Sequence, residues 1–248
     1  MRRGLLLIDR GSRESEVQNE LSYLCTKVKE KGGYLFANYC FLEVIPPFID
    51  EAIEKCLKEE IDALTIVPYF LYPGKKVKAA VNKAVSMQSR TKVKLTISKP
   101  MSLHKSLIDL ADEKIESALK RNSISLPKEQ IDVLIIGHGS KDPNARMSII
   151  YVADGLKPQF RNVNYCFLEI EEPNISQGLE KCTRNFPEVL VVMFYFLHEG
   201  AHVKRDVHQD LKPAIEKSKL KKVFVTEHLG INNKMVDLII ERAREVEK

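Results

Sequence analysis

Three side chains in the second half of this 248-residue chain have types and spacing suited to metal and proton chemistry: His138, Glu169 and His202. They lie 31 and 33 residues apart, about one strand-plus-helix unit each. His138 follows the apolar run Val133-Leu134-Ile135-Ile136, Glu169 follows a second run ending at Leu168, and His202 comes soon after a third, Val189 to Phe196. In open α/β sheets ligands gather beyond the carboxyl ends of the strands. Neighbouring parallel strands would therefore carry all three side chains to one rim. Two imidazoles and a carboxylate suit a borderline divalent ion such as Fe, Co, Ni or Zn, with His138 and His202 as its ligands. The same groups can take protons from ring nitrogens near neutral pH.

Each residue also has a plainer role. A single His after a strand is more often a hydrogen-bonding turn residue, and Glu169 could face solvent or cap the next helix. Convergence of three on one edge favours the chemical reading. Gly137 and Gly139 flank His138, and glycine lets backbone approach a ligand closely. Ser140 could cap the following helix or donate to a carboxylate of a substrate.

The elements that must position these groups are legible because the chain repeats itself. Ile8-Asp9-Arg10-Gly11-Ser12-Arg13 matches Ile136-Gly137-His138-Gly139-Ser140-Lys141, and Asn38-Tyr39-Cys40-Phe41-Leu42-Glu43 matches Asn164-Tyr165-Cys166-Phe167-Leu168-Glu169. Glu54-Lys55-Cys56 and Tyr69-Phe70-Leu71 recur as Glu180-Lys181-Cys182 and Tyr195-Phe196-Leu197, at an offset that begins at 128 and settles at 126. The two halves meet at the polar stretch Asn122 to Pro127, giving an amino-terminal domain over 1–122 and a carboxyl-terminal domain over 131–248.

Within the second half, strands are expected at 133–136, 163–168, 189–196 and 222–226. Helices are expected for about 15 residues from near Pro143, over 173–185, and between and after the last two strands. The first half repeats this order from Leu5 to a helix ending near Arg121. Strict alternation implies α/β architecture: two pseudo-symmetric lobes, each a parallel sheet of about four strands flanked by helices. Two such lobes facing each other would leave a cleft.

The first half departs at two of the three positions. Arg10 stands where His138 would be and Lys76 where His202 would be, while Glu43 matches Glu169. Arg and protonated Lys do not ligate metals but pair with carboxylates. The expectation is a division of labour, the second lobe handling metal and protons and the first holding an anionic substrate. The plainer reading makes the first lobe scaffold alone.

Bulk composition narrows the class. Hydrophobic residues make up 44% and charged residues 29%, ordinary for a soluble globular protein. No apolar run approaches the roughly 20 residues of a membrane span, and Asp9 ends the run after Arg3 too early for a signal peptide, so a cytoplasmic protein with no membrane partner is expected. The net charge of +5 comes without a basic stripe interleaved with aromatics, which argues against nucleic acid. Five cysteines without a CxxC pair read as reduced, mostly buried thiols.

The strand-His-Gly-Ser start, the Phe-Leu-Glu after the second strand and the segment Gly200-Ala201-His202-Val203-Lys204-Arg205-Asp206-Val207 resemble the sirohydrochlorin chelatases of the CbiX/SirB type, over essentially the whole chain. The resemblance implies insertion of Fe2+ or Co2+ into a tetrapyrrole, for sirohaem or cobalamin biosynthesis. It places the family's two histidines on His138 and His202 and its glutamate on Glu169. It also implies that the metal is a substrate and that no prosthetic group is needed, consistent with the lack of GxGxxG or Walker A patterns. The carboxylate arms of the substrate, sirohydrochlorin, would meet Arg10, Lys76, Lys141, Lys204 or Arg205, and Ser140 and Glu43 are counted with them as substrate-binding residues. Many two-lobed bacterial relatives carry the His pair in the first lobe; here the order is reversed. Two lobes in one chain imitate a dimer of single lobes, so a monomer is expected.

Two rivals remain at this level. A metal or tetrapyrrole carrier needs the same ligands as a chelatase. His198-Glu199-Gly200-Ala201-His202 is also a formal HExxH zinc-protease match, but it begins at the end of a β-like run and contains Gly, which is poor for the helix that motif requires.

Overall fold

The computed structural model describes residues 1–198 and 207–247. It contains two four-stranded, all-parallel sheets flanked by helices, as the alternation of elements implies. The first sheet comprises β1 (Arg3–Asp9), β2 (Phe36–Phe41), β3 (Ala63–Pro68) and β4 (Lys94–Ile97), in the order β2-β1-β3-β4. The second comprises β5 (Ile131–Gly137), β6 (Asn162–Phe167), β7 (Val189–Phe194) and β8 (Val223–Val225), in the order β6-β5-β7-β8.

The central strands β3, β5 and β7 are buried at every residue. That explains their largely apolar runs, interrupted by Thr65 in β3 and Asp132 in β5, since both faces of a parallel sheet are covered by helices. Alternate residues serve opposite layers. Leu6, Ile8, Leu64 and Ile66 pack with α2 (Ile49–Cys56) and α3 (Lys75–Ser86), while Leu134, Ile136, Leu190 and Val192 pack with α6 (Ile175–Thr183) and the segment around Leu211. The remaining helices are α1 (Ser15–Gly32), α4 (Lys105–Arg121), α5 (Arg146–Leu156), α7 (Lys212–Ser218) and α8 (Asn233–Arg244). Helix ends follow local chemistry. Gly33, at φ +71, closes α1, Asn174 and Gln177 form a capping box on α6, and the Asn232 side chain accepts the Met235 N–H to start α8.

The compact units do not coincide with the repeat boundaries. One unit is 1–102 with 231–248, and the other is 103–230. Helix α4, from the first repeat, packs on α5, β7 and β8, while α8, from the second, packs on α1 and β3. The expected domains 1–122 and 131–248 therefore describe the sequence repeat, whereas the packed bodies exchange their last helices. Helix α5 also begins later than Pro143. The Ser140 Oγ accepts the Asp142 N–H, the Asp142 Oδ1 accepts the Asn144 N–H, and this local turn occupies the residues expected to open the helix.

Candidate functional site

The second unit builds its site from the loops after β5 and β6. The two strands run in register to Gly137 opposite Phe167, so His138 is the first residue past one strand and Glu169 the second past its neighbour. Backbone bonds tie the loops together: Leu168 N–H donates to the Gly137 carbonyl at 2.9 Å, and Glu169 N–H to that of His138 at 3.1 Å. Gly139 has φ +91, and a Cβ there would lie 1.8 Å from the Glu169 carbonyl oxygen. Only glycine allows this approach. The first unit repeats it, with Gly11 at φ +108 and its would-be Cβ 2.1 Å from the Glu43 carbonyl oxygen.

Beyond each glutamate the chain makes a three-residue turn. Glu171 N–H donates to the Glu169 carbonyl at 2.8 Å with Ile170 at φ +71, and Ile45 N–H to the Glu43 carbonyl at 3.0 Å with Val44 at φ +79. A β-branched residue at positive φ is strained, and such strain concentrates at functional sites. The turn leaves Ile170 56% exposed directly beside Glu169, an apolar side chain at a polar rim.

His138 Nδ1 lies 3.3 Å from Glu169 Oε1, with side chains 36% and 57% exposed. A carboxylate beside one imidazole nitrogen favours the tautomer with its proton there, which turns the other nitrogen's lone pair outward for chemistry. The matching positions of the first unit form a closed ionic cluster. Glu43 accepts from Arg10 Nε at 3.1 Å and from Lys76 Nζ at 2.5 Å. The Lys76 ammonium holds the Glu43 carboxyl below the usual carboxylate range, Arg10 adds to the effect, and partial burial opposes it.

Ser140 and Lys141 continue the loop that carries His138. Ser140 caps no helix, since Ala145 occupies the N-cap of α5; its hydroxyl accepts from Asp142 and its N–H donates to Glu171 Oε1 at 2.9 Å. Lys141 is exposed next to it. His202, Lys204 and Arg205 lie outside the described residues, as do Glu199 to Ala201 of the HExxH match; His198 sits in a bend past the end of β7. Among the described residues no three His, Cys, Asp or Glu side chains are grouped to hold a metal. All five cysteines are free and buried, and burial pushes the Cys56 and Cys182 thiols up to about 11, far from thiolate chemistry near neutral pH.

Sequence reasoning missed Glu171 and Arg146. The Glu171 side chain is only 11% exposed and accepts from Arg146 Nε at 2.7 Å as well as from Ser140 N–H. Arg146 also donates to the Glu172 carbonyl at 2.8 Å and lies over the Phe167 ring. The signal was an asymmetry between the halves: the matching residues are Ile45 and Gln18.

The CbiX family model matches residues 4–118 and 132–246, one copy per sequence repeat. A sirohydrochlorin cobaltochelatase of Priestia megaterium is 22% identical over 249 residues, covering 98% of this chain and 79% of its own. A sirohydrochlorin ferrochelatase of the same organism is 24% identical over 213 residues, covering 83% and 78%. SirB from Bacillus subtilis with Fe3+ superposes with a TM-score of 0.83 at 21% identity, over 99% of this chain and 95% of that one. With both repeats matched and the double parallel sheet shared, the chain belongs to the CbiX family.

Proposed function

We propose that the chain inserts a divalent metal, Fe2+ or Co2+, into sirohydrochlorin, and that the second unit performs the chemistry. The observation that carries this reading is the His138–Glu169 pair, 3.3 Å apart at the carboxyl ends of adjacent parallel strands. Insertion replaces two pyrrole protons with one metal ion. His138 Nε2 accepts a pyrrole proton or hands over the metal, and the exposed Glu169 stabilises the imidazolium and passes the proton to water. His202 is assigned the role of second metal-handling imidazole. Ile170 offers apolar contact to a flat macrocycle. Arg10 and Lys76, held by Glu43, are assigned to the carboxylate arms, together with Lys141, Lys204, Arg205 and the Ser140 hydroxyl. The names of the Priestia megaterium relatives support the substrate class and leave iron and cobalt side by side. No helix among the described residues is long and apolar enough to cross a membrane; a cytoplasmic location and action as a monomer belong to the proposal.

The test is anaerobic insertion into sirohydrochlorin followed by absorbance, with Fe2+, Co2+ and Ni2+ compared. Wild-type protein should turn over many equivalents, and His138→Ala should lose on the order of 100-fold in rate while remaining folded. Conversion that stops at one equivalent would identify a carrier. Full turnover by His138→Ala would remove the site.

A further inference from the structure

The second unit contains a polar clamp that its counterpart lacks, and this clamp grips the loop carrying His138. Glu171 lies two residues beyond Glu169, on the far side of the strained turn at Ile170. Its Oε1 accepts the Ser140 N–H at 2.9 Å, and its Oε2 accepts Arg146 Nε at 2.7 Å. Arg146 is fixed in turn by the Glu172 carbonyl and the Phe167 ring. The segments 138–140 and 169–171 are therefore joined three times: by the Glu169 N–H to His138 carbonyl bond, by the His138–Glu169 side-chain contact, and by Glu171. The third link ends on the residue two beyond His138. A nearly buried carboxylate is expensive unless compensated, and here the Arg146 guanidinium compensates it. The first unit, with arginine in place of the imidazole, has Ile45 and Gln18 at these positions and no such link.

We infer that Glu171, neutralised by Arg146, is a positioning residue that fixes the His138–Glu169 pair for metal handling. It touches neither substrate nor metal. It acts by holding the His138 loop against Glu169, as outer-layer hydrogen bonds orient metal-handling imidazoles generally. This inference rests on the site proposed above.

The experiment compares wild type, Glu171→Gln, Glu171→Ile and Arg146→Gln, with His138→Ala as control. Two readouts are taken: steady-state insertion of Co2+ into sirohydrochlorin, and binding of Co2+ alone followed by its ligand-field absorption. Glu171→Ile, which installs the first unit's residue, should lower kcat about tenfold and weaken Co2+ binding by about the same factor, with KM for the tetrapyrrole within about twofold. Glu171→Gln keeps an acceptor for the Ser140 N–H and should restore most of both. Arg146→Gln should fall between them, and it decides the matter if Glu171→Ile does not fold. Wild-type kcat and Co2+ affinity in these variants, even with a lower melting temperature, would show the clamp to be merely structural and overturn the inference. If His138→Ala itself binds Co2+ and turns over normally, the site reading fails and the clamp with it. A dead His138→Ala beside fully active Glu171 and Arg146 variants would sink the clamp alone.

Discussion

At the scale of single residues, the two units hold one geometry and two chemistries. Glu43 and Glu169 both follow a glycine-permitted loop contact, yet Glu169 faces an imidazole and Glu43 faces two cations. The lowered Glu43 pKa sets the sign of a pH effect. Its pairing contributes stability above the ordinary glutamate value of about 4.3, and that stability is lost as pH falls through the lowered value in the folded protein. Arg10 and Lys76 are more than half exposed, so solvent screens the cluster and the contribution at pH 7 is at most about 1 kcal/mol. The functional effect should be larger. If Arg10 and Lys76 receive substrate carboxylates, Glu43 competes with the substrate for them. Glu43→Gln should therefore lower KM for sirohydrochlorin a few-fold with kcat unchanged, and Arg10→Ala should raise it by about tenfold. Michaelis curves at low salt measure both. A fall in kcat for Glu43→Gln would instead place Glu43 in the chemistry.

At the scale of elements, the strands and the β–α alternation were legible because buried parallel strands are largely apolar, as Val189 to Phe194 is, whereas the order of the strands in each sheet came from the structure. The rim positions of His138 and Glu169 followed from that alternation alone. The clamp left only one trace in the sequence, the asymmetry of Glu171 and Arg146 against Ile45 and Gln18, and that asymmetry does not say where the side chains lie. Nothing in spacing indicates that Ile170 adopts positive φ or that Glu171 turns inward, because a glutamate in a loop ordinarily faces solvent. The start of α5 was misplaced for a related reason: Pro143 is compatible with a first helical turn, but Asp142 and Ser140 capture the backbone N–H groups first. Packing between layers is equally local. Helix α6 lies so close on β6 that a Cβ on Gly178 would be 2.7 Å from the Cys166 Cβ, whereas the first unit accommodates Ala52 at the matching place. Glycine-to-alanine within a helix ordinarily stabilises by roughly 0.5–1 kcal/mol. Here the rigid Cys166 Cβ should reverse the sign, and overpacking of this kind destabilises by about 1–3 kcal/mol. Urea denaturation of Gly178→Ala should thus show a net loss of stability; an unchanged or higher midpoint would mean that α6 can lift from the sheet without cost.

At the scale of the whole chain, the repeat in the sequence and the bodies in the fold follow different boundaries, and the exchange of α4 and α8 explains why the first did not disclose the second. Both repeats end in an amphipathic helix with a similar apolar stripe, and either stripe can cover either sheet, so periodicity gives no preference. The structure decides it for the first unit through the last 18 residues, 231–248. Met235, Val236, Leu238, Ile239 and Ile240 are all buried on α8. Five such side chains at about 1.5–3 kcal/mol each amount to roughly the entire stability of an ordinary domain, about 5–15 kcal/mol. Polar contacts fix the same segment: Lys31 pairs with Asp237, and the Glu247 carboxylate accepts from Tyr34 Oη at 2.9 Å and Thr65 Oγ1 at 2.7 Å. A chain ending at residue 230 should therefore lose amide protection in β1 and β3, although both belong to the opposite end of the sequence, while β5 and β7 keep theirs because α4 still covers them. Hydrogen exchange read strand by strand distinguishes this from folding by repeats, in which truncation of the second repeat would open β5 and β7 and leave β1 and β3 protected.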